Sequence, residues 1–212
     1  MNEIKNNKHL KVEFNQNPYK WFRMEEFIDL QSGSKLSDSY PQSGFQMFKR
    51  ESGGNKQYQF SVRHVLNKNK WEAREDLSSE WIEFLDFLNS MELVEMLESV
   101  TGLSLKDDEK DIGFFKFEQG DWVSPHTDRE NKKLTFVLYF NREWHSSWGG
   151  CIQILKSNLS SSVVAESLPL VGNTVGIIRS DDSWHMVTQV SNEAKSFRKT
   201  VQVEFWNKEN KS

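Results

Sequence analysis

The sequence predicts a mainly β fold, a sandwich or barrel with α-helices packed on its outside. Three observations predict it. From about residue 111 onward, apolar residues alternate with a period of two in short runs separated by turn residues. Residues 78–102 instead repeat at the helical period. Eight tryptophans and fifteen phenylalanines are many for 212 residues, and large rigid rings suit a barrel wall or an aromatic-lined pocket.

Taken in order, residues 1–75 are polar and broken. Turn-rich stretches at Gln31-Ser32-Gly33-Ser34 and Ser52-Gly53-Gly54-Asn55 enclose short extended candidates, Phe45–Lys49 and Gln57–Val62. Trp81, Phe84, Leu85 and Leu88 then form one apolar helical stripe, and Leu93, Met96, Leu97 and Val100 repeat it on a second helix. Ser90 is a good N-cap for that second helix and Gly102 its stop signal. Six strands follow, at Ile112–Phe117, Lys133–Phe140, Cys151–Leu155, Thr174–Ile178, His185–Val190 and Phe197–Phe205. No internal repeat is present. The expected organisation is one domain over 1–212, with N-terminal strands and supporting helices in 1–110 and a β core in 111–206.

Charge and cysteine content exclude several classes. The net charge is −4, from 27 basic and 31 acidic residues without a long block of either sign. Bulk electrostatic binding to nucleic acid or to a membrane surface is therefore not expected. Cys151 is the single cysteine, which excludes a disulfide framework and a thiolate zinc cluster. The opening residues lack the apolar core of a secretory signal, and no run reaches membrane-spanning length. A reducing cytoplasm is the expected compartment.

The chemistry concentrates at His126-Thr127-Asp128. With five histidines and eleven aspartates, chance alone gives a His-x-Asp in about a quarter of such chains, so its setting has to carry the weight. A glycine turn at Gly120 and then Pro125 precede it, and a strand begins soon after. In extended backbone, residues two apart project from one face, so imidazole and carboxylate can converge on one ion. A second imidazole from a distant strand would complete the two-His-one-carboxylate face of non-haem Fe(II) oxygenases, with positions open for a co-substrate and O₂. His185 is the best candidate, because it opens an apolar strand after a polar turn. His9 lies in a polar terminus, His64 precedes the helices, and His145 sits in a hairpin loop where a solvent-facing role is the plain reading. Arg198 follows thirteen residues after His185 on a strand whose alternation puts Arg198, Thr200, Gln202 and Glu204 on one face. That polar face lines either an exposed edge or a cavity. Beside two ligand strands the cavity is preferred, since guanidinium is the natural bidentate partner of a carboxylate.

These residues resemble the Fe(II)/2-oxoglutarate-dependent dioxygenases of the prolyl-hydroxylase-like type. Phe117, Gly120 and Trp122 lead into His126, Asp128 and Arg129. A strand from Lys133 to Tyr139 and Asn141 follows, then Trp144 and the Gly149-Gly150 pair. Leu170 to Arg179, Ser183-Trp184-His185 and Arg198 complete the order. Asn17 to Phe27 is similar to the opening strand and helix of such enzymes. The resemblance covers essentially the whole chain and is specific over about 112–206.

The resemblance implies a double-stranded β-helix, a cupin-like jelly roll. It implies that His126, Asp128 and His185 bind iron. It also implies that Arg198 pairs with the far carboxylate of 2-oxoglutarate, helped by Tyr139 and Thr200. Phe117 stands where relatives often have a tyrosine. Iron, 2-oxoglutarate and O₂ are the expected cofactor and co-substrates, with ascorbate a candidate reductant, and succinate and CO₂ the expected by-products. A second strand arginine, typical of the nucleic-acid demethylases, is replaced by Glu204. Asp128 keeps the carboxylate that halogenases lack, so hydroxylation is the expected outcome. The substrate would be amino-acid-like, peptidyl (prolyl included) or another polar small molecule, with Gln202 and Glu204 facing it and Arg179, Asp181 and Arg129 near the mouth. Lys68–Glu75 belongs to the region expected to supply substrate-shaping loops. The rival readings are a non-catalytic jelly-roll binding module with structural histidines, disfavoured by all three ligands and the arginine occurring together, and a cupin-type metal enzyme without 2-oxoglutarate, which would not explain Arg198.

Overall fold

A computed structural model describes residues 10–54, 56–72 and 74–208. In chain order the strands are β1 (Lys11–Asn15), β2 (Trp21–Glu25), β3 (Gln46–Arg50), β4 (Tyr58–Asn67), β5 (Lys70–Trp71), β6 (Glu109–Phe117), β7 (Trp122–His126), β8 (Lys132–Tyr139), β9 (Ile152–Leu155), β10 (Val163–Ser167), β11 (Thr174–Ile178), β12 (His185–Val187) and β13 (Arg198–Trp206). Three helices, α1 (Leu30–Asp38), α2 (Ser79–Leu88) and α3 (Met91–Thr101), occupy the N-terminal half. The strands form one antiparallel sheet in the order β1-β2-β11-β8-β13-β6-β4-β7-β12-β9-β10, with β3 and β5 also paired to β4. The sheet curls over itself: Ile152 and Ile154 of β9 pack against Val137 and Tyr139 of β8 and Val175 and Ile177 of β11. The predicted mainly β, double-stranded β-helix architecture is what the chain adopts.

Alternation along β13 sorts its two faces as predicted. Val201, Val203 and Phe205 pack outward into one core with α2 and α3, where Trp81, Phe84, Leu85, Leu93 and Leu97 are wholly buried. Gln202 and Glu204 face the interior with Arg198. Both helix starts are capped by serine: Ser78 accepts from the Trp81 N–H and Ser90 from the Leu93 N–H, each at 3.3 Å. Gly102, at φ +70°, ends α3 in the left-handed region that a side chain disfavours.

Departures fall in the N-terminal third and at three later strands. The turn expected at 31–34 is the first part of α1, because Asp29 caps it by accepting the Ser32 N–H at 2.9 Å and Leu36 is buried beneath. The strand expected within 17–27 is β2, but the helix comes later, at α1. The strands β1, β5, β7 and β10 have no counterpart in the sequence reading, and β12 stops at Val187 rather than 190. His9 and Asn55 lie outside the described residues. Among the described residues no helix is long and apolar enough to cross a membrane.

Candidate metal centre and its cavity

His126 ends β7 and His185 opens β12, and antiparallel pairing sets the two residues directly opposite each other. Their ring centroids are 4.1 Å apart. Asp128 follows just beyond β7, and one ligand atom from each of the three buried residues lies within 4.8 Å of the others. Nδ1 of His126 is 2.9 Å from the Ser124 carbonyl oxygen, and Nδ1 of His185 is 2.9 Å from that of Ser183. A carbonyl only accepts, so each Nδ1 carries the proton. Each Nε2 keeps its lone pair, as a metal-ligating imidazole with a backbone orienter does.

Burial pushes both imidazoles below their ordinary value, with Lys56 adding to the effect. They stay neutral, the state a metal needs. For Asp128, burial alone would raise the carboxyl. The Lys132 ammonium beside it, with Lys56 adding to the effect, outweighs that and holds the group well below the usual carboxylate range. Both carboxylate oxygens are engaged: Lys132 Nζ donates to Oδ1 at 3.2 Å and Thr135 Oγ1 to Oδ2 at 2.8 Å. Lys132 also donates to Glu204 Oε1 at 2.7 Å and lies 4.6 Å from the Trp206 ring. The sequence reading missed Lys132 and Thr135, four and seven residues past Asp128, where no periodicity marks them.

Arg198 is fully buried at the start of β13. Its Nη1 donates to Thr200 Oγ1 at 3.3 Å, and its guanidinium stacks 4.6 Å from Phe117 and 5.4 Å from Tyr139. Among the described residues no carboxylate pairs with it, and both its Nε and the Tyr139 hydroxyl lack a hydrogen-bond partner. Gly150, at φ +64°, allows this close approach, since a Cβ there would stand 3.4 Å from Arg198 Cδ and 3.1 Å from Trp144.

The triad and Arg198 share one cavity of about 560 Å³, walled by Phe60, Phe115, Phe117 and Trp206 among others. Gln202, Glu204 and Arg129 line it as expected, and His64 joins them. Tyr139 and Thr200 stand behind Arg198 rather than at the cavity wall. Three placements differ from expectation. Arg179 and Asp181 pair with each other at 2.7 Å, with Asp181 projecting into solvent, instead of lining the mouth. No described residue of 68–75 reaches the cavity; Arg74 instead stacks on Trp71 and pairs with Asp86. The N-terminal wall comes from β3 and β4, through Phe48, Tyr58 and Phe60. His145 is exposed and pairs with Glu143.

A family model described as the 2OG-Fe(II) oxygenase superfamily matches residues 113–206. No curated protein sequence matches the chain. Among solved structures, a Pseudomonas putida prolyl-4-hydroxylase is similar at TM-score 0.63 and 16% identity, over 88% of this chain and 92% of that one. A Trichoplax adhaerens prolyl hydroxylase in complex with a hypoxia inducible factor peptide fragment is similar at TM-score 0.64 and 12% identity, over 88% and 83%. An oxidoreductase of the 2OG-Fe(II) oxygenase family from Burkholderia pseudomallei follows at 0.57 and 13%, over 86% and 82%. At such identities the likeness is one of fold. Residues 113–206, which hold the triad and the buried arginine, are thus the part of the chain similar to the 2OG-Fe(II) oxygenase superfamily.

Proposed function

We propose that His126 and His185, through Nε2, and Asp128, through its carboxylate, hold a ferrous ion. Arg198 takes the distal carboxylate of 2-oxoglutarate, with the Tyr139 hydroxyl and Thr200 assisting. One observation carries this reading: a fully buried guanidinium with no carboxylate partner shares a cavity with the triad. A lone buried charge is costly, and a dicarboxylate chelating a metal at the triad would reach and neutralise it. Iron and 2-oxoglutarate, when bound, supply the oxidising chemistry: O₂ is reduced as 2-oxoglutarate loses CO₂ to become succinate, and a C–H of the substrate gains a hydroxyl.

The chain's own residues hold and shield. Ser124 and Ser183 carbonyls fix the imidazoles, Thr135 and Lys132 fix the carboxylate, and the Phe60–Phe115–Phe117 wall excludes water around Arg198. The substrate class is amino-acid-like, with a peptidyl prolyl residue the leading form, because prolyl hydroxylases are among the structural neighbours. Insertion of β4, from the N-terminal half, between β6 and β7 supports residues 1–212 acting as one domain.

Purified protein given Fe(II), 2-oxoglutarate and ascorbate under air should release succinate. Asp128→Ala should weaken metal binding by at least about a hundredfold and abolish that release. Metal binding unchanged in Asp128→Ala would overturn the ligand assignment.

A further inference from the structure

The mouth of the cavity carries a charge pattern that the metal and co-substrate do not use. The chain as a whole is negative, yet five lysine and arginine side chains line this cavity against three carboxylates. Lys132 is held by Asp128 and Glu204, and Arg198 is reserved for 2-oxoglutarate. The third carboxylate, Asp111, accepts the Lys68 backbone N–H at 2.7 Å. That leaves Arg50, Lys56 and Arg129. Among the described residues none of the three has a carboxylate partner. Arg50 and Lys56 converge on the Tyr58 ring, 5.6 and 5.9 Å from its centroid. Lys56 also feels Arg129 and Lys132 as like charges and Asp128 as an opposite one, so it faces the space before the triad.

We infer that Arg50, Lys56 and Arg129 bind an anionic group of the substrate, a carboxylate or a phosphate, and that its carbon skeleton runs inward along Phe60 and Val62 toward the triad. The inference rests on the proposed function and adds the chemical class of the substrate to it. Like charges gathered at a low-dielectric mouth repel one another and focus an anion between them. Burial pushes the Lys56 ammonium down to about 8, a penalty that an arriving anion relieves.

The test uses protein loaded with Zn(II) and N-oxalylglycine, a chelating analogue of 2-oxoglutarate, so that Arg198 is occupied. Inorganic phosphate, acetyl-Asp-Pro-amide and neutral acetyl-Asn-Pro-amide are then titrated by calorimetry. At least one anionic probe should bind about tenfold or more tightly than the neutral one, and added salt should weaken it. Binding of phosphate alone assigns a phosphorylated substrate; binding of the aspartyl compound alone assigns a carboxylate. The triple substitution Arg50→Gln, Lys56→Gln, Arg129→Gln should erase the preference while N-oxalylglycine binds as before. Equal affinity for charged and neutral probes, or a preference that survives the triple substitution, overturns the inference. N-oxalylglycine binding is measured first, and its failure removes the co-substrate reading instead. The triple substitution reports on the mouth in either case.

Discussion

Lys132 and Arg198 are both buried cations of one cavity, and their surroundings are opposite. Lys132 lies between two carboxylates, 3.2 Å from Asp128 and 2.7 Å from Glu204. Among the described residues Arg198 has the Thr200 hydroxyl and two aromatic faces, and no carboxylate. Around the triad the folded chain completes the electrostatics by itself, since the Asp128 carboxylate already has the Lys132 ammonium. At the other end it leaves a charge unanswered. A buried charge left so is costly, and the proposed 2-oxoglutarate carboxylate is what would answer it.

The largest test of the contrast is a pair of substitutions with opposite signs. Lys132→Met breaks a buried pair and leaves Asp128 and Glu204 facing each other. Metal-free protein should lose about 3–5 kcal/mol, and added metal should restore much of it. Arg198→Met removes a buried charge without a partner, so the free protein should gain stability, by about 1–4 kcal/mol. Saturating 2-oxoglutarate and metal should then stabilise the parent but not this variant. Thermal unfolding of the two variants decides. If Arg198→Met destabilises as Lys132→Met does, Arg198 belongs to the folded network and no ligand is awaited.

A smaller effect appears on changing pH. Both imidazoles are held below 6.5 in the folded chain, so the unfolded chain takes up protons first. Stability of metal-free protein should fall as pH drops through about 6.5 and keep falling toward the folded values. Asp128 behaves differently: its folded value lies below 3.8, so its contribution persists above that pH and is lost only as pH falls through the folded value. Melting of chelator-treated protein from about pH 8 to about pH 4 measures the histidine loss first. A flat profile between about pH 7 and about pH 5 would show that the imidazoles are not buried neutral.

Much of the site was legible because its signals are local. His-x-Asp, the polar turn before His185 and the alternation of β13 each lie within a few residues, and the structure brings all three to one cavity. Apolar stripes placed α2 and α3 for the same reason, and the Ser90 cap and Gly102 stop bounded the second. What was not legible depends on the curl of the sheet. Lys132 reads as an ordinary charge at a strand start until β13 brings Glu204 beside it. Arg50, Lys56 and Tyr58 belong to a polar, broken region, and only the insertion of β4 between β6 and β7 turns them toward the triad. Local glycine and serine misled at 31–34. There Asp29 supplied a cap, and Gly33 packs so close to Val171 that there is no space for a Cβ.

Tyr139→Phe tests the contrast on its finest scale. The hydroxyl is buried beside Arg198 and has no hydrogen-bond partner among the described residues, whereas both carboxylate oxygens of Asp128 are paired. Phenylalanine keeps the ring under the guanidinium and removes only the unanswered donor. The free protein should therefore be as stable as the parent or slightly more so. Affinity for 2-oxoglutarate should fall by about 0.5–1.5 kcal/mol, roughly two- to tenfold. Calorimetric titration of 2-oxoglutarate in the presence of Zn(II) measures that shift directly. An unchanged affinity would make Tyr139 wall packing and leave Arg198, with Thr200 behind it, to bind the carboxylate alone.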